Sequence, residues 1–407
     1  MIDRLERQSI LSGGGTLGPD ASAMHANAGL RTAITVQRVP DLAALTTLIS
    51  EWECINQHIT PRTPFTSPSW IIPWWEHFWR RHGLFRDELF CHIIRDADGR
   101  LVAVAPLMRT YMPGFGLPVI RMVQFFGTDP SLTEIRGVIC RPEDHDRVIN
   151  ALMVHFRRCR GEWDVFRWNG LRRPVSTYSS SIPPCEFVAR RDLPDYIIEL
   201  PGSWDELKAH VSSNMRKNLR KAYEFLERDG FRFVLHVVER PGDVQAAIGR
   251  FLSLHAARSE AADMINHPNK FARPHAWAFL SEYLHRIAEK GELRIFELEI
   301  GGVVVASRLA FLFETDLYMY YAGYDPTWKN YSVMTVLVSE MIKWAFAHGV
   351  RRVNLSTGHD QSKMRWKPFE IVFHDAVQVS PTRRGRVGFR AFRGYEALFR
   401  IRVRFGI

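Results

Sequence analysis

No CxxC pair occurs among the five cysteines at 54, 91, 140, 159 and 185. That removes zinc knuckles and dithiol redox chemistry, and no other cluster has metal-ligand spacing. An odd cysteine count without a secretory apolar core points to reduced thiols in a cytoplasmic protein. No apolar run approaches the ~18 residues of a membrane span. Glycine is missing from one place where it is often needed, the turn Asp325–Thr335 between a strand and a long helix. A loop that wraps a pyrophosphate usually carries glycines so that its backbone can approach the phosphates.

What the chain of 407 residues does have is positive charge, +10 overall. About seven of these charges fall after residue 380, where eight arginines (383, 384, 386, 390, 393, 400, 402, 404) face only Glu396. The body is therefore only mildly basic, which argues against nucleic acid as its ligand and leaves smaller anions or an anionic surface. Length suggests two domains. The polar, Gly-rich residues 1–32 lack periodicity and are expected to be disordered.

Two copies of one supersecondary order follow. In the first, a hairpin of "ELFCHIIRD" and "RLVAVAPLMRT" (100–110) leads to a strand at 119–127, a helix from about 143 to 160 and a strand at 163–170. In the second, strands at 293–300, 303–313 and 317–324 lead to a helix at 332–348 and strands at 351–356 and 371–379. This order predicts an α/β fold with mixed sheets, as a first domain at 33–195 and a second at 196–380, followed by an Arg-rich tail. "SSNMRKNLRKAYEFLERDG" (212–230) reads as a helix capped by serine and stopped by Gly230, with Val211, Met215, Leu219, Ala222 and Leu226 inward. Arg216, Lys217, Arg220 and Lys221 then form a cationic ridge, either a solvated face or an anion site.

That helix is similar to the "R-x-x-L-R-x-A-x-x-x-L-x-x-x-G" segment of the CelD/BcsL-type acetyltransferases, a branch of the GNAT superfamily. "FTSPSWIIPWWEHF" (65–78), "GRLVAVAPLM" (99–108), "LHAAR" (254–258), "YYAGYDPTWKNYS" (320–332) and "GHDQSKMRW" (358–366) match in the same order, over roughly residues 40–370. The resemblance implies two tandem GNAT-like N-acyltransferase domains of Fem-like architecture. It also implies acetyl-CoA or another acyl-CoA as co-substrate with no tightly bound cofactor, and a sugar- or lipid-linked exopolysaccharide or envelope precursor as acceptor. It places the oxyanion donor near Ala322–Tyr324 and singles out Gly358 and Lys363.

Acyl transfer from a thioester needs a base, a donor for the carbonyl oxygen and an acid for the departing thiolate. Asp360 or His359 is a candidate base, Lys363 a carbonyl- or phosphate-facing cation, and Tyr324 the acid, with Tyr318, Tyr320 and Tyr321 as competitors. Gly323 inside a strand suggests a bulge or close ligand approach. Lys329, Ser332 and Thr335 stand at the helix start, where free amides bind phosphate. Arg216, Arg220, His255 and Arg258 are candidates for the acceptor, and Trp70, Trp74 and Trp75 serve either as core or as a sugar platform. The tail fits a final helix and strand packed on the C-terminal domain with its arginines solvated, an anionic membrane anchor, or, through the Arg386/Arg390 spacing, a cyclic di-GMP site. Two functions compete with acyl-CoA transfer: an aminoacyl-tRNA-dependent Fem-like transfer and a degenerate anion-binding module. Prolines 241, 268 and 274, read as interrupting the 230–290 helices, disfavour the helical arm of the former.

Overall fold

The computed structural model describes residues 33–405 apart from 82, 130, 180–185 and 262–267. The segment expected to be disordered, residues 1–32, and Cys185 lie outside the described residues. No helix among the described residues is long and apolar enough to cross a membrane.

An eleven-stranded sheet runs through both halves of the chain. Its order is Phe233–Val238, Leu293–Ile300, Val303–Phe313, Asp316–Tyr324, Arg352–Thr357, Glu186–Glu199, Phe369–Val379, Val165–Leu171, Ile120–Phe125, Leu107–Met112 and Arg86–Leu89. All pairings are antiparallel except two. Asp316–Tyr324 lies parallel to Arg352–Thr357, and Ile120–Phe125 parallel to Val165–Leu171. Each parallel pair is bridged by one crossover helix, Val333–Ala347 or His145–Arg158, as parallel neighbours require. The repeated order read from the sequence is therefore a repeated topology within a mixed α/β fold.

The two units share their closing strands. Glu186–Glu199 pairs with Arg352–Thr357 on one side and along its length with Phe369–Val379 on the other. Phe369–Val379 in turn pairs with Val165–Leu171 of the first half. The position 195/196 thus falls inside a continuous strand.

The first hairpin differs from its expected form. Its two strands break at Phe90 and at Pro106, so that Arg86–Leu89 and Leu107–Met112 stay in the large sheet. His92–Asp96 and Leu101–Ala105 join a second sheet with Ile34–Arg38 and Ile139–Cys140. Proline has no amide to donate, so the ladder changes partner there.

Trp70, Trp74 and Trp75 on the helix Pro68–Phe78 are buried. Trp70 packs edge-on against Phe279 and Tyr283 of the second half, with centroids 4.9 and 4.7 Å apart. Packing, rather than a sugar platform, accounts for these rings. Pro241 and Pro274 do not interrupt helices. They stand at the first residue of Pro241–Glu260 and Pro274–Glu289, where a missing amide costs nothing. Both helices bury one face in the shared core.

The tail forms a helix, Arg383–Phe405. Phe389 and Phe392 pack on Met112, Ile120, Met122 and Val165 of the first half and on Val377 and Val379 of the strand Phe369–Val379, so it lies where the two halves share the sheet.

Candidate active site

Two neighbouring strands part to make the site. Asp316–Tyr324 and Arg352–Thr357 are paired only from Asp316 to Tyr318. Beyond that point the register with Val303–Phe313 jumps: Arg308 faces Ala322 while Ala310 faces Met319. One extra residue at Tyr320–Tyr321 makes a bulge and turns the strand. On the opposite strand Ser356 adopts a left-handed conformation, φ 68°, with its amide donated to Asn354 Oδ1 at 2.6 Å. Between the parted strands lies a cavity of about 460 Å³, lined in part by Ser332, Val333, Met334 and Thr335 at the start of Val333–Ala347.

Helix geometry leaves the amides of Val333 and Met334 without carbonyl partners inside the helix, whereas Thr335 N donates to Ser332 O at 2.7 Å. Ser332 precedes the helix: its hydroxyl makes no cap bond and its backbone is left-handed, φ 50° and ψ 40°. The loop thus takes at serine the conformation that glycine supplies elsewhere, at a strain of about 1–2 kcal/mol.

The most consequential residue of the cavity comes from the other half of the chain. Glu134 lies on the loop after Ile120–Phe125, and Asp129 organises that loop by accepting the amides of Ser131, Leu132 and Thr133 and the Trp74 indole. Three tyrosines of the bulged strand grip it. Tyr320 donates to Leu132 O at 2.6 Å, Tyr321 to Ser131 O at 2.5 Å and Tyr318 to Glu134 Oε2 at 2.5 Å. The Thr357 amide and hydroxyl approach the same Oε2 at 3.3 and 3.5 Å. The Tyr318 and Thr357 contacts all fall on one carboxylate oxygen. Burial holds the Glu134 carboxyl above the usual carboxylate range, against the pull of the Tyr318 hydrogen bond and of Lys363 and Arg308. These hydroxyl bonds also tie up three of the competitors to Tyr324, which lines the cavity.

Around Glu134 the charges are dense and poorly hydrated. Desolvation pushes the Arg308 guanidinium down to about 10, helped by repulsion from Arg258. The Arg308 Nε has no hydrogen-bond partner among the described residues. Two guanidiniums that repel one another in a cavity favour an anionic occupant. Asp195 is fully buried, accepts from Asn354 Nδ2 at 2.7 Å and is pushed up to about 7, mainly by burial.

The folded form of Asp195 therefore holds its proton up to about 7, against 3.8 for the ordinary group. Its contribution to stability is complete below 3.8 and is lost as pH rises through 7. Asp195→Asn keeps an acceptor for Asn354, and the fall of the urea midpoint between pH 4 and 8 is expected to flatten. An unchanged pH slope would remove Asp195 as its source.

The other sequence candidates separate into two groups. Lys363, Asp360, Tyr324, Lys329, Ser332, Thr335 and Arg258 all line the cavity. Lys363 Nζ reaches Thr357 O at 2.6 Å, Ser356 O and Gly358 O at 3.2 Å and Ser356 Oγ at 3.1 Å. It gathers the carbonyls where the strand ends. Asp360 caps the helix Gln361–Met364 by accepting from Ser362 N at 2.7 Å.

Arg216, Arg220, His255 and Gly323 are not among the residues lining the cavity. Arg216 donates to Lys208 O, Ala209 O and Val211 O, closing the end of the preceding helix. Arg220 pairs with Glu224 at 3.2 Å on the surface. His255 is buried, its Nδ1 donating to Ala322 O at 3.1 Å. Gly323 serves packing: a Cβ there would stand 2.3 Å from His255 N and 2.6 Å from Leu254 C. The close approach is to the helix Pro241–Glu260, not to a ligand. Gly323→Ala should displace that helix, and with it Arg258, lowering stability by about 1–3 kcal/mol. A urea midpoint equal to wild type would contradict this.

Residues 213–367 match the family model described as acetyltransferase (GNAT) domain. No curated protein sequence matches the chain. Among solved structures, the crystal structure of FemX aligns with a TM-score of 0.54 and 10% identity, over 84% of this chain and 96% of that one, a likeness of fold. More distant is a tandem GNAT protein from the clavulanic acid biosynthesis pathway, with a TM-score of 0.44, 10% identity and coverage of 86% and 100%. The C-terminal domain of a putative lysylphosphatidylglycerol synthetase from Agrobacterium fabrum gives 0.46, 10%, 84% and 95%. The matched segment holds the parted strands and the helix start, so the carboxy-terminal half carries a GNAT-type acetyltransferase domain and the protein is an acyltransferase.

Proposed function

We propose that the protein moves an acyl group from acyl-CoA to an amine or hydroxyl of a sugar- or lipid-linked envelope or exopolysaccharide precursor at the cytoplasmic side. The acceptor class follows the CelD/BcsL resemblance. The observation that carries the reading is the meeting, in one cavity, of a helix start and a buried carboxylate. The first-turn amides of Val333–Ala347 and Lys329 suit the diphosphate of the donor. Arg258 and Arg308 suit a further anionic group, on donor or acceptor.

In this reading Glu134 takes the proton as the acceptor nitrogen or oxygen bonds to the thioester carbon. A backbone amide of the strand Asp316–Tyr324, where it parts from its neighbour past Tyr318, stabilises the carbonyl oxygen as it gains charge. The C–S bond then breaks, and Tyr324 returns a proton to the thiolate. Transfer from aminoacyl-tRNA is less well supported, because the helices between 230 and 290 bury a face in the core. Calorimetric titration of acetyl-CoA and longer acyl-CoAs should show binding that Lys329→Ala weakens about five- to tenfold, as loss of one charge-assisted contact implies. No binding of any CoA would remove the proposal.

A further inference from the structure

Five exposed apolar side chains gather at one place on the first half. They are Leu84 (54% exposed), Phe115 (67%), Leu117 (93%), Val119 (51%) and Val387 (59%). Backbone and side-chain contacts make them one surface. Gly114 N donates to Leu84 O at 2.9 Å, and Arg384 Nη2 donates to Pro118 O at 2.8 Å. Phe85 meets Tyr395 edge-on with centroids 5.8 Å apart. The loops 83–85 and 113–119 therefore flank the helix Arg383–Phe405, whose outward positions include Arg383, Arg386, Val387, Arg390 and Arg393. None of these residues lines the cavity described above.

Folding alone does not account for the loop tips. Leu117 at 93% exposure contributes almost nothing to a core, and single exposed leucines are common, but a cluster of five is not. The surrounding charge indicates the partner. Arg86 and the outward arginines of the helix are exposed. Of the nearby acids Asp87 and Asp164 are buried and Glu396 is partly exposed, and each is already matched: Asp87 to Arg80, Asp164 to Arg121 and Arg384, and Glu396 to Arg190. Apolar tips ringed by unopposed arginines fit an anionic lipid surface, where the tips enter the acyl boundary and the guanidiniums meet headgroup phosphates. A protein partner would need a matching acidic pocket around a flat apolar tip, which nothing in the arrangement requires.

We propose that the loops 83–85 and 113–119, together with the first turns of the helix Arg383–Phe405, dock the protein on an anionic membrane surface. The test uses the full-length chain and vesicle flotation at about 0.15 M salt. Binding is expected to vesicles of phosphatidylcholine mixed with phosphatidylglycerol, and not to phosphatidylcholine alone. Phe115→Ser with Leu117→Ser should weaken it by about tenfold or more with an unchanged thermal melt, since both side chains are exposed. Arg383→Gln and Arg390→Gln should each weaken it about fivefold. Absence of binding to the mixed vesicles, or binding unaffected by the Phe115/Leu117 pair, would overturn the proposal. So would a dimer in sedimentation velocity that the pair dissolves while vesicles go unbound, which would assign the surface to a second copy of the chain.

Discussion

Glu134→Gln is expected to lower kcat by about 10²–10⁴-fold, the usual contribution of a positioned general base, while acyl-CoA binding is retained. The amide keeps the carboxylate's shape and its acceptor toward Tyr318 and Thr357, so the loop 129–134 should stay in place. Only proton abstraction is lost. The pH dependence makes the assignment specific. A base works in its ionised form, so activity should rise as pH passes through the Glu134 pKa, which burial holds above the ordinary value. The acidic limb should accordingly lie above ~4.3 and disappear from the residual activity of the variant. A variant with wild-type kcat, or one with an unchanged limb, would move the base elsewhere, with Asp360 the next carboxylate in the cavity.

Lys363→Met should abolish activity and also destabilise the fold. The sequence resemblance singled out this lysine for a carbonyl- or phosphate-facing role in transfer. Its ammonium is instead in contact with Ser356, Thr357 and Gly358 carbonyls. It also balances the buried carboxyls of Glu134 and Asp195. Methionine fills the volume but leaves the carbonyls without their donor and the acids without their cation. Breaking a buried charge arrangement from one side costs about 3–5 kcal/mol. Lys363→Arg should not rescue, because the larger, planar guanidinium does not present its donors as a compact ammonium does. The check is the urea midpoint beside the rate. An inactive Lys363→Met enzyme with wild-type stability would restore a purely chemical role.

How much of this was legible in the sequence depends on which interaction carries each feature. Hydrophobic periodicity and turn residues are local, so the repeated strand order and the helix at 212–230 could be read directly. The core stripe Met215, Leu219, Ala222 and Leu226 is buried as expected. Polar loops after strands were also legible, and Lys329, Ser332, Asp360 and Lys363 do meet in one cavity. Glu134 was not. It is 184 positions from Tyr318 in the chain, in a loop without periodicity, and reaches the cavity only because one core joins the two halves. Arg308 was hidden for a related reason. It sits inside an apolar strand, and whether it faces a cavity depends on a bulge in the neighbouring strand.

Gly323 and Arg216 show the opposite error. Their residue types fit ligand binding, but close backbone packing and helix termination need the same properties. A glycine permits close approach by any backbone, and a guanidinium serves carbonyls as readily as phosphate. Ser332 shows that a missing glycine does not exclude a left-handed turn, since the surrounding structure can impose it.

In the proposed reaction the site is assembled from both halves: donor at the start of Val333–Ala347, base from the loop of the first half. The most direct measurement is an experimental structure of the full-length protein with bound acyl-CoA. The expected result is a diphosphate on the amides of Val333 and Met334 near Lys329, with the thioester in the cavity that Glu134 lines. A donor bound elsewhere, or a thioester walled off from Glu134, would contradict it.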